Sequence, residues 1–457
     1  MSRLPISIGL LGFALLVSAG AATAVNTGSA DFTNYVALGD SLTAGFTSDS
    51  LIDASQRASY PALIFAATHD GATAGFELPL VSAPGIPGIL HLVNLVPSPT
   101  IAPTPGLGRP ENLQLPRPYN DLAVPGENLH TMINTVTDHG GLHDLILRGL
   151  GTQLQEGIAE QPTFVTLWIG NNDALAAATS GIVIDGVTLT TLAQFQADFT
   201  TIVGAITTHT HAKLAIANIP RVTSIPFVTT IPPVLVNPRT NQPVIVNGQP
   251  VPLLGPNGPL QPGDRVLLTA QGFLGKGFGI PVALGGNGLP LPKTAVLYAA
   301  EVQKINDRVA GFNSIIQTVA GQAGAAYVDV NSLLDTLAST GIDVGGITFN
   351  ANFLTGGVFS YDGVHPTSFG YAYIANAFIS AINDKYGAAI PPADLGAAIF
   401  NPSGGTVPVS AGAATKALLT DDALRTLFWA MSWPTTLPEG GTPAPPPRHG
   451  HHHHRHG

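Results

Sequence analysis

The residues best suited to chemistry in this sequence are a serine and a histidine far apart along the chain. Ser41 stands in Val36-Ala37-Leu38-Gly39-Asp40-Ser41-Leu42, where an apolar run meets a glycine and a serine before helix-forming sequence resumes. A serine at the carboxyl end of a central strand sits at the rim of a parallel sheet, where open α/β folds bind ligands. Its hydroxyl alone is a weak nucleophile; it needs a base within hydrogen-bond reach and a third group to orient that base. Asp362-Gly363-Val364-His365-Pro366 answers that need. Asp362 can accept the proton of one ring nitrogen of His365, leaving the other nitrogen free to take the serine proton. Pro366 biases His365 away from helical geometry and so helps hold it on a loop. Acyl transfer also requires neutral, fixed donors aimed at the developing oxyanion. Gly170-Asn171-Asn172-Asp173 offers amide side chains, and Asn120-Asp121-Leu122-Ala123-Val124-Pro125-Gly126 ends in a glycine with an unobstructed backbone N–H. Asp40 and Asp173 are read as fixing the backbone of their motifs by hydrogen bonding.

These side chains need a scaffold that brings distant segments together. Tyr35 to Leu38, Phe164 to Ile169, Leu214 to Ile219 and Ala326 to Val330 read as buried strands separated by long helical stretches, a pattern that implies crossover units and a parallel sheet. Val302, Ile305, Val309, Phe312 and Ile316 fall on one face of a helix over Ala299 to Ile316. A second helix follows Pro366, with Tyr371, Ile374, Phe378 and Ile382 along one side and Thr367 or Ser368 as its cap. Two stretches, about 78–118 and 220–292, are thick with Pro and Gly and read as long insertions. Inside the second, Asn247-Gly248 between apolar pairs predicts a hairpin. Beyond Tyr386 the sequence is rich in Ala, Gly and Pro, and Thr420 to Met431 then gives one more amphipathic helix, with Leu424, Leu427, Phe428 and Met431 on one face.

The four motifs resemble the conserved blocks of the SGNH hydrolase superfamily, the GDSL esterases and lipases, and they occur in the family's order. The blocks stand here as Gly39-Asp40-Ser41-Leu42, the Gly126 of Ala123-Val124-Pro125-Gly126, Gly170-x-Asn172-Asp173 and Asp362-x-x-His365. The resemblance spans about Tyr35 to Tyr386, with insertions longer than the family's minimal form. It implies an α/β fold, a three-layer α/β/α sandwich with a flavodoxin-like parallel sheet of about five strands. It also implies that Ser41 is the nucleophile, His365 the general base and acid, and Asp362 the group that orients His365. The backbone N–H groups of Ser41 and Gly126 and the side chain of Asn172 would form the oxyanion hole. An α/β-hydrolase elbow is disfavoured, because Ser41 does not lie in Gly-x-Ser-x-Gly.

Composition bounds the remaining choices. With 18 Lys+Arg against 28 Asp+Glu there is no basic stripe to track phosphates, so nucleic acid is not an expected partner. Zero Cys removes disulfides, thiolate metal sites and a thiol nucleophile. His209-Thr210-His211 lacks a third ligand, and Gly275-Lys276-Gly277 lacks the Walker spacing. The expected reaction needs neither metal nor organic cofactor. Residues 1–24 read as a signal peptide with cleavage after Ala24, which predicts a secreted or periplasmic protein. The hydrolase domain is placed at 30–390, a C-terminal extension at 391–440 and a Pro/His-rich tail at 441–457.

The expected activity is hydrolysis of acyl esters through an acyl-enzyme intermediate. A carbohydrate acetylesterase, an acyltransferase with the same triad and a non-catalytic binding protein on the same fold are the alternatives. Ile231, Val234, Leu235, Phe273 and Phe278 of the second insertion suggest an apolar acyl pocket or lid, and contact with a membrane or lipid surface stays open.

Overall fold

The computed structural model describes residues 24–94, 100–400 and 418–430. Four strands build the central sheet, all parallel and in chain order: β1 (Tyr35–Gly39), β2 (Phe164–Trp168), β3 (Lys213–Ala217) and β4 (Ala326–Val328). Each is a short apolar run of the kind the sequence predicts, and Tyr35 lies beside Phe164 in register. Outside β1 the segment 120–124 continues the sheet without regular pairing. Ala37 donates its N–H to the Asn120 carbonyl (2.8 Å), and the N–H groups of Leu122 and Val124 reach the carbonyls of Ala37 (3.0 Å) and Gly39 (3.2 Å). That segment occupies the fifth position, so the spatial order follows the flavodoxin-like arrangement with the second segment at one edge.

Alternation along the strands sends side chains to two helical layers. One face carries Val36, Leu38, Val165, Leu167, Leu214 and Ile216 against α4 (Leu192–His209) and α5 (Ala299–Gln322). The other carries the small residues Ala37, Ala215, Ala217 and Ala326. Here α2 (Tyr60–Thr68) and α7 (Ser368–Tyr386) pack on the sheet, and the rings of Tyr60 and Phe378 stack 4.5 Å apart. Helix α5 extends beyond the predicted Ile316 because Val319 and Ala320 continue its buried face. Thr367 caps α7, its hydroxyl accepting from the Gly370 N–H at 3.2 Å. Three further helices follow strands directly: α1 (Ser41–Ala44), α3 (Asn172–Ser180) and α6 (Val330–Ser339). The result is the expected three-layer α/β/α sandwich.

The insertions have structure of their own. In the first, Leu90–Asn94 and Thr100–Pro103 form an antiparallel ribbon that gains a third strand, Leu418–Leu419, from the C-terminal extension. In the second, Ile245–Val246 and Gln249–Pro250 form the predicted hairpin. The hairpin is exposed, and apart from it Leu253, Leu260, Val266, Leu291 and Val296 build a small separate core. The final helix runs Asp421–Ala430, and Thr420 caps it by accepting from Ala423 N–H at 3.1 Å. Its Ala423 and Leu424 are buried in the main core, while Met431 lies outside the described residues. Apart from Ala24, the leader lies outside them too, as does the Pro/His-rich tail.

Candidate active site

Ser41 begins α1 directly after β1, and the turn that presents it is fixed from several sides. Gly39 has no room for a side chain: a Cβ there would lie 2.2 Å from Thr43 Oγ1 and 2.4 Å from the Trp168 carbonyl. Gln153 finishes β1 as a neighbouring strand would. Its Oε1 accepts the Gly39 N–H at 2.8 Å and its Nε2 donates to the Gly39 carbonyl at 2.9 Å. Asp40 caps α1, accepting from the Leu42 N–H at 3.0 Å, while its other oxygen accepts from Asn171 Nδ2 at 2.8 Å. Burial pushes the Asp40 carboxyl up to about 6 despite these two donors.

Far along the chain, His365 arrives on the loop before α7. Its Nε2 lies 2.9 Å from Ser41 Oγ and its Nδ1 lies 2.8 Å from Asp362 Oδ2. The turn is self-supporting, because Asp362 Oδ1 accepts from the N–H groups of Val364 and His365, both at 2.8 Å, and from Ser360 Oγ at 3.1 Å. Burial alone would raise the Asp362 carboxyl; the charge of His365 and these donors outweigh it and hold the carboxyl below its ordinary value. The Phe46 ring packs against the imidazole, 4.9 Å between centroids. Tyr371 on α7 donates its hydroxyl to the Phe46 carbonyl at 2.5 Å, tying that helix to the residues after α1.

The expected oxyanion donors Gly126 and Asn172 are tied to each other, and the 170–173 segment reaches the serine turn through Asn171 and Asp40. Gly126 adopts φ +88°, a left-handed conformation that strains any residue with a Cβ. Neither its N–H nor that of Ser41 donates to an acceptor among the described residues. Asn172 Nδ2 donates to the Glu127 carbonyl at 2.8 Å, which sets its amide beside the Gly126 turn. Asp173 braces the same region by accepting from the Leu129 N–H at 3.1 Å, and burial pushes its carboxyl up to about 7. Both aspartates therefore act on the backbone, as the sequence suggests.

A cleft lined by Ser41 and His365 spans about 700 Å³ of space when the open solvent at its mouth is included. Its far walls are apolar: Leu333, Leu334 and Leu337 of α6, Val222 and Ile225 from the start of the second insertion, and Val358, Phe359 and Val364. Ile231, Val234, Leu235, Phe273 and Phe278 are not among its walls. Four of them, Ile231, Leu235, Phe273 and Phe278, pack on the insertion's own core, so the expectation that they form the acyl pocket is corrected.

Gln153 and Asp49 were not singled out from sequence, and Asn171 was given no role of its own within the Gly170–Asp173 motif. Asn171 looks like a spacer within its motif, yet it binds Asp40 and lines the cleft. Gln153 and Asp49 act from segments that carry no motif at all.

A family model for GDSL-like lipase/acylhydrolase matches residues 35–378. No curated protein matches the sequence. Among solved structures, the chain is similar to an acetylxylan esterase from Geobacillus stearothermophilus at 10% identity, covering 76% of this chain and 93% of that one with a TM-score of 0.34. An extracellular lipase from Streptomyces rimosus is similar at 16% identity, covering 77% of this chain and 98% of that one with a TM-score of 0.33. With its four motifs drawn together at the rim of the sheet and the family match spanning most of its length, the chain belongs to the GDSL-like lipase/acylhydrolase family of ester hydrolases.

Proposed function

We propose that this chain hydrolyses esters of apolar carboxylic acids through an acyl-enzyme intermediate, with Ser41 as nucleophile, His365 as general base and acid, and Asp362 orienting His365. The observation that carries the reading is the continuous chain of contacts from Asp362 Oδ2 through both ring nitrogens of His365 to Ser41 Oγ, at 2.8 and 2.9 Å. As Ser41 Oγ attacks the ester carbonyl, its proton passes to His365 Nε2, and Asp362 stabilises the imidazolium that forms. The carbonyl oxygen becomes an oxyanion, met by the N–H groups of Ser41 and Gly126 and the amide of Asn172. Collapse breaks the bond to the alcohol, which leaves with the proton from His365. Water then adds to the acyl-enzyme by the same route, giving its proton to His365, and the acid departs as Ser41 regains its hydrogen.

The apolar walls from α6 and the 358–364 segment support an acyl chain rather than a sugar as the group lying in the cleft, because a sugar's hydroxyls would lose hydrogen bonds to water there. The apolar leader over residues 1–24 supports export of the enzyme. Hydrolysis of p-nitrophenyl acetate, butyrate and palmitate by the protein beside its Ser41→Ala variant tests the reading. Turnover should fall by at least about 10³ in the variant, and equal rates would overturn it.

A further inference from the structure

Behind the Gly126 turn lies a charged group that the reaction itself does not use. Glu127 is 0% exposed and follows Gly126 directly, and its carbonyl holds the Asn172 amide at 2.8 Å. Among the described residues neither carboxylate oxygen nor His143 Nε2 has a hydrogen bond of regular geometry, yet Nε2 lies 2.9 Å from Oε2, at ion-pair distance. On the other side of the ring, His143 Nδ1 lies 3.2 Å from Asp138 Oδ2. Asp138 is itself held by the N–H groups of Gly141 (2.8 Å) and His143 (3.0 Å). A buried carboxylate without a partner is strongly unfavourable, so this contact has to compensate it. A neutral imidazole has one N–H and can serve one carboxylate; an imidazolium has two and serves both.

We propose that His143 is a positioning residue for ester hydrolysis: its imidazolium, clamped between Glu127 and Asp138, anchors the turn that aims the Gly126 N–H and the Asn172 amide at the oxyanion. The inference rests on the reading of Gly126 and Asn172 as oxyanion donors. It gives the enzyme an alkaline limit that the triad alone does not supply. Burial works against the charged ring, but Glu127 and then Asp138 outweigh it and raise His143 above its ordinary value. The clamp is therefore kept to a higher pH than an ordinary imidazole would allow, and it opens as the ring loses its proton.

The other titratable groups around the pair are carboxyls, the imidazoles of His130 and His139, the latter acting on Asp144, and the Arg148 guanidinium, which acts on Glu156. Asp40 at the end of β1 is within electrostatic reach of Glu127. Asp173 binds the Leu129 N–H, and Asp144 binds the N–H groups of Asp138 and Gly140. Glu156 lies on the helix Gln153–Ala159, packed against the helix that begins at Leu129. His130 is largely exposed and faces Asp198.

The test measures kcat and KM on p-nitrophenyl butyrate from pH 5.5 to 10 for wild type, His143→Ala and Glu127→Gln, each well below its melting temperature. His143→Ala should lower kcat at neutral pH about tenfold with KM changed less than about twofold, because the lost donors act on the transition state. Glu127→Gln should lower kcat about threefold and remove the alkaline fall seen in wild type, since no buried charge then depends on the ring. An unchanged alkaline limb in Glu127→Gln, or a His143→Ala variant that loses only thermal stability, would overturn the proposal. Asn172→Ala and Ser41→Ala run alongside. If both keep full turnover, the reading of the site itself fails; if both lose it while the His143 and Glu127 variants match wild type, only this inference does.

Discussion

The backbone N–H of Asp49 donates to Asp362 Oδ2 at 2.8 Å, the same oxygen that faces His365 Nδ1. The segment just after the serine helix thus grips the acid at the other end of the triad. Every hydrogen-bond partner of the Asp362 carboxylate is a donor, on both oxygens. An asparagine there must turn its NH₂ either toward the Val364 and His365 N–H groups or toward Asp49 and the imidazole. Asp362→Asn should therefore lower kcat/KM by about 10⁴, through a wrong His365 tautomer, and should also lower the melting temperature. Steady-state kinetics with thermal unfolding checks both parts, and a variant within tenfold of wild type would refute the assignment.

Gln153 bonds both backbone groups of Gly39, in place of the strand that the irregular 120–124 segment does not fully provide. Gln153→Ala leaves the buried Gly39 N–H unpaired next to the serine turn and the Gly39 C=O with only the longer bond from the Val124 N–H. The expected cost is roughly 1–3 kcal/mol of stability, read from urea unfolding, together with a lower kcat as Ser41 shifts. A loss below about 0.5 kcal/mol would show that water replaces both bonds.

Stability should depend on pH in a direction opposite to the usual acid lability. Burial raises Asp40 to about 6, Asp173 to about 7 and Glu156 to about 8, all above their unfolded values. A carboxyl with a raised folded pKa binds its proton more tightly in the native state, so stability rises as pH falls from about 8 toward 5. His143 acts in the same direction, because a raised imidazole contributes fully below its unfolded value and loses that contribution as pH rises through its folded one. Asp362 is lowered, so its contribution is present above the unfolded value and is lost in strong acid. Melting temperature against pH should peak in the mildly acidic range, and Glu156→Gln should flatten the upper part of the curve. A maximum above pH 8 would contradict these shifts.

Leu333 lines the cleft from α6 and is only partly buried, so a larger side chain there intrudes on the cleft with little damage to the core. Leu333→Trp should cut kcat/KM for the palmitate ester at least tenfold relative to the acetate ester. A uniform loss across acyl lengths would mean that the chain does not lie along α6.

The strands, the α5 and α7 helices and the four motifs were legible because each is a local pattern: apolar runs, helical spacing or a short string of polar residues. Asn171, Gln153 and Asp49 were not, because their partners Asp40, Gly39 and Asp362 are remote in sequence and meet them only in the folded chain. The apolar residues of the second insertion misled for a related reason. Hydrophobicity predicts burial but not which core does the burying, and here the insertion supplies its own.

The ribbon of Leu90–Asn94 and Thr100–Pro103 is completed by Leu418–Leu419, which bonds in parallel to Thr100 and Ile101. Ile101, at the centre of that ribbon, is 0% exposed. The strand that finishes this lobe leaves the ribosome more than three hundred residues after the one it joins, and His365 is at least as late relative to Ser41. During synthesis, then, neither the lobe nor the Ser41–His365–Asp362 cluster can be complete until more than three hundred residues beyond its first segment have emerged.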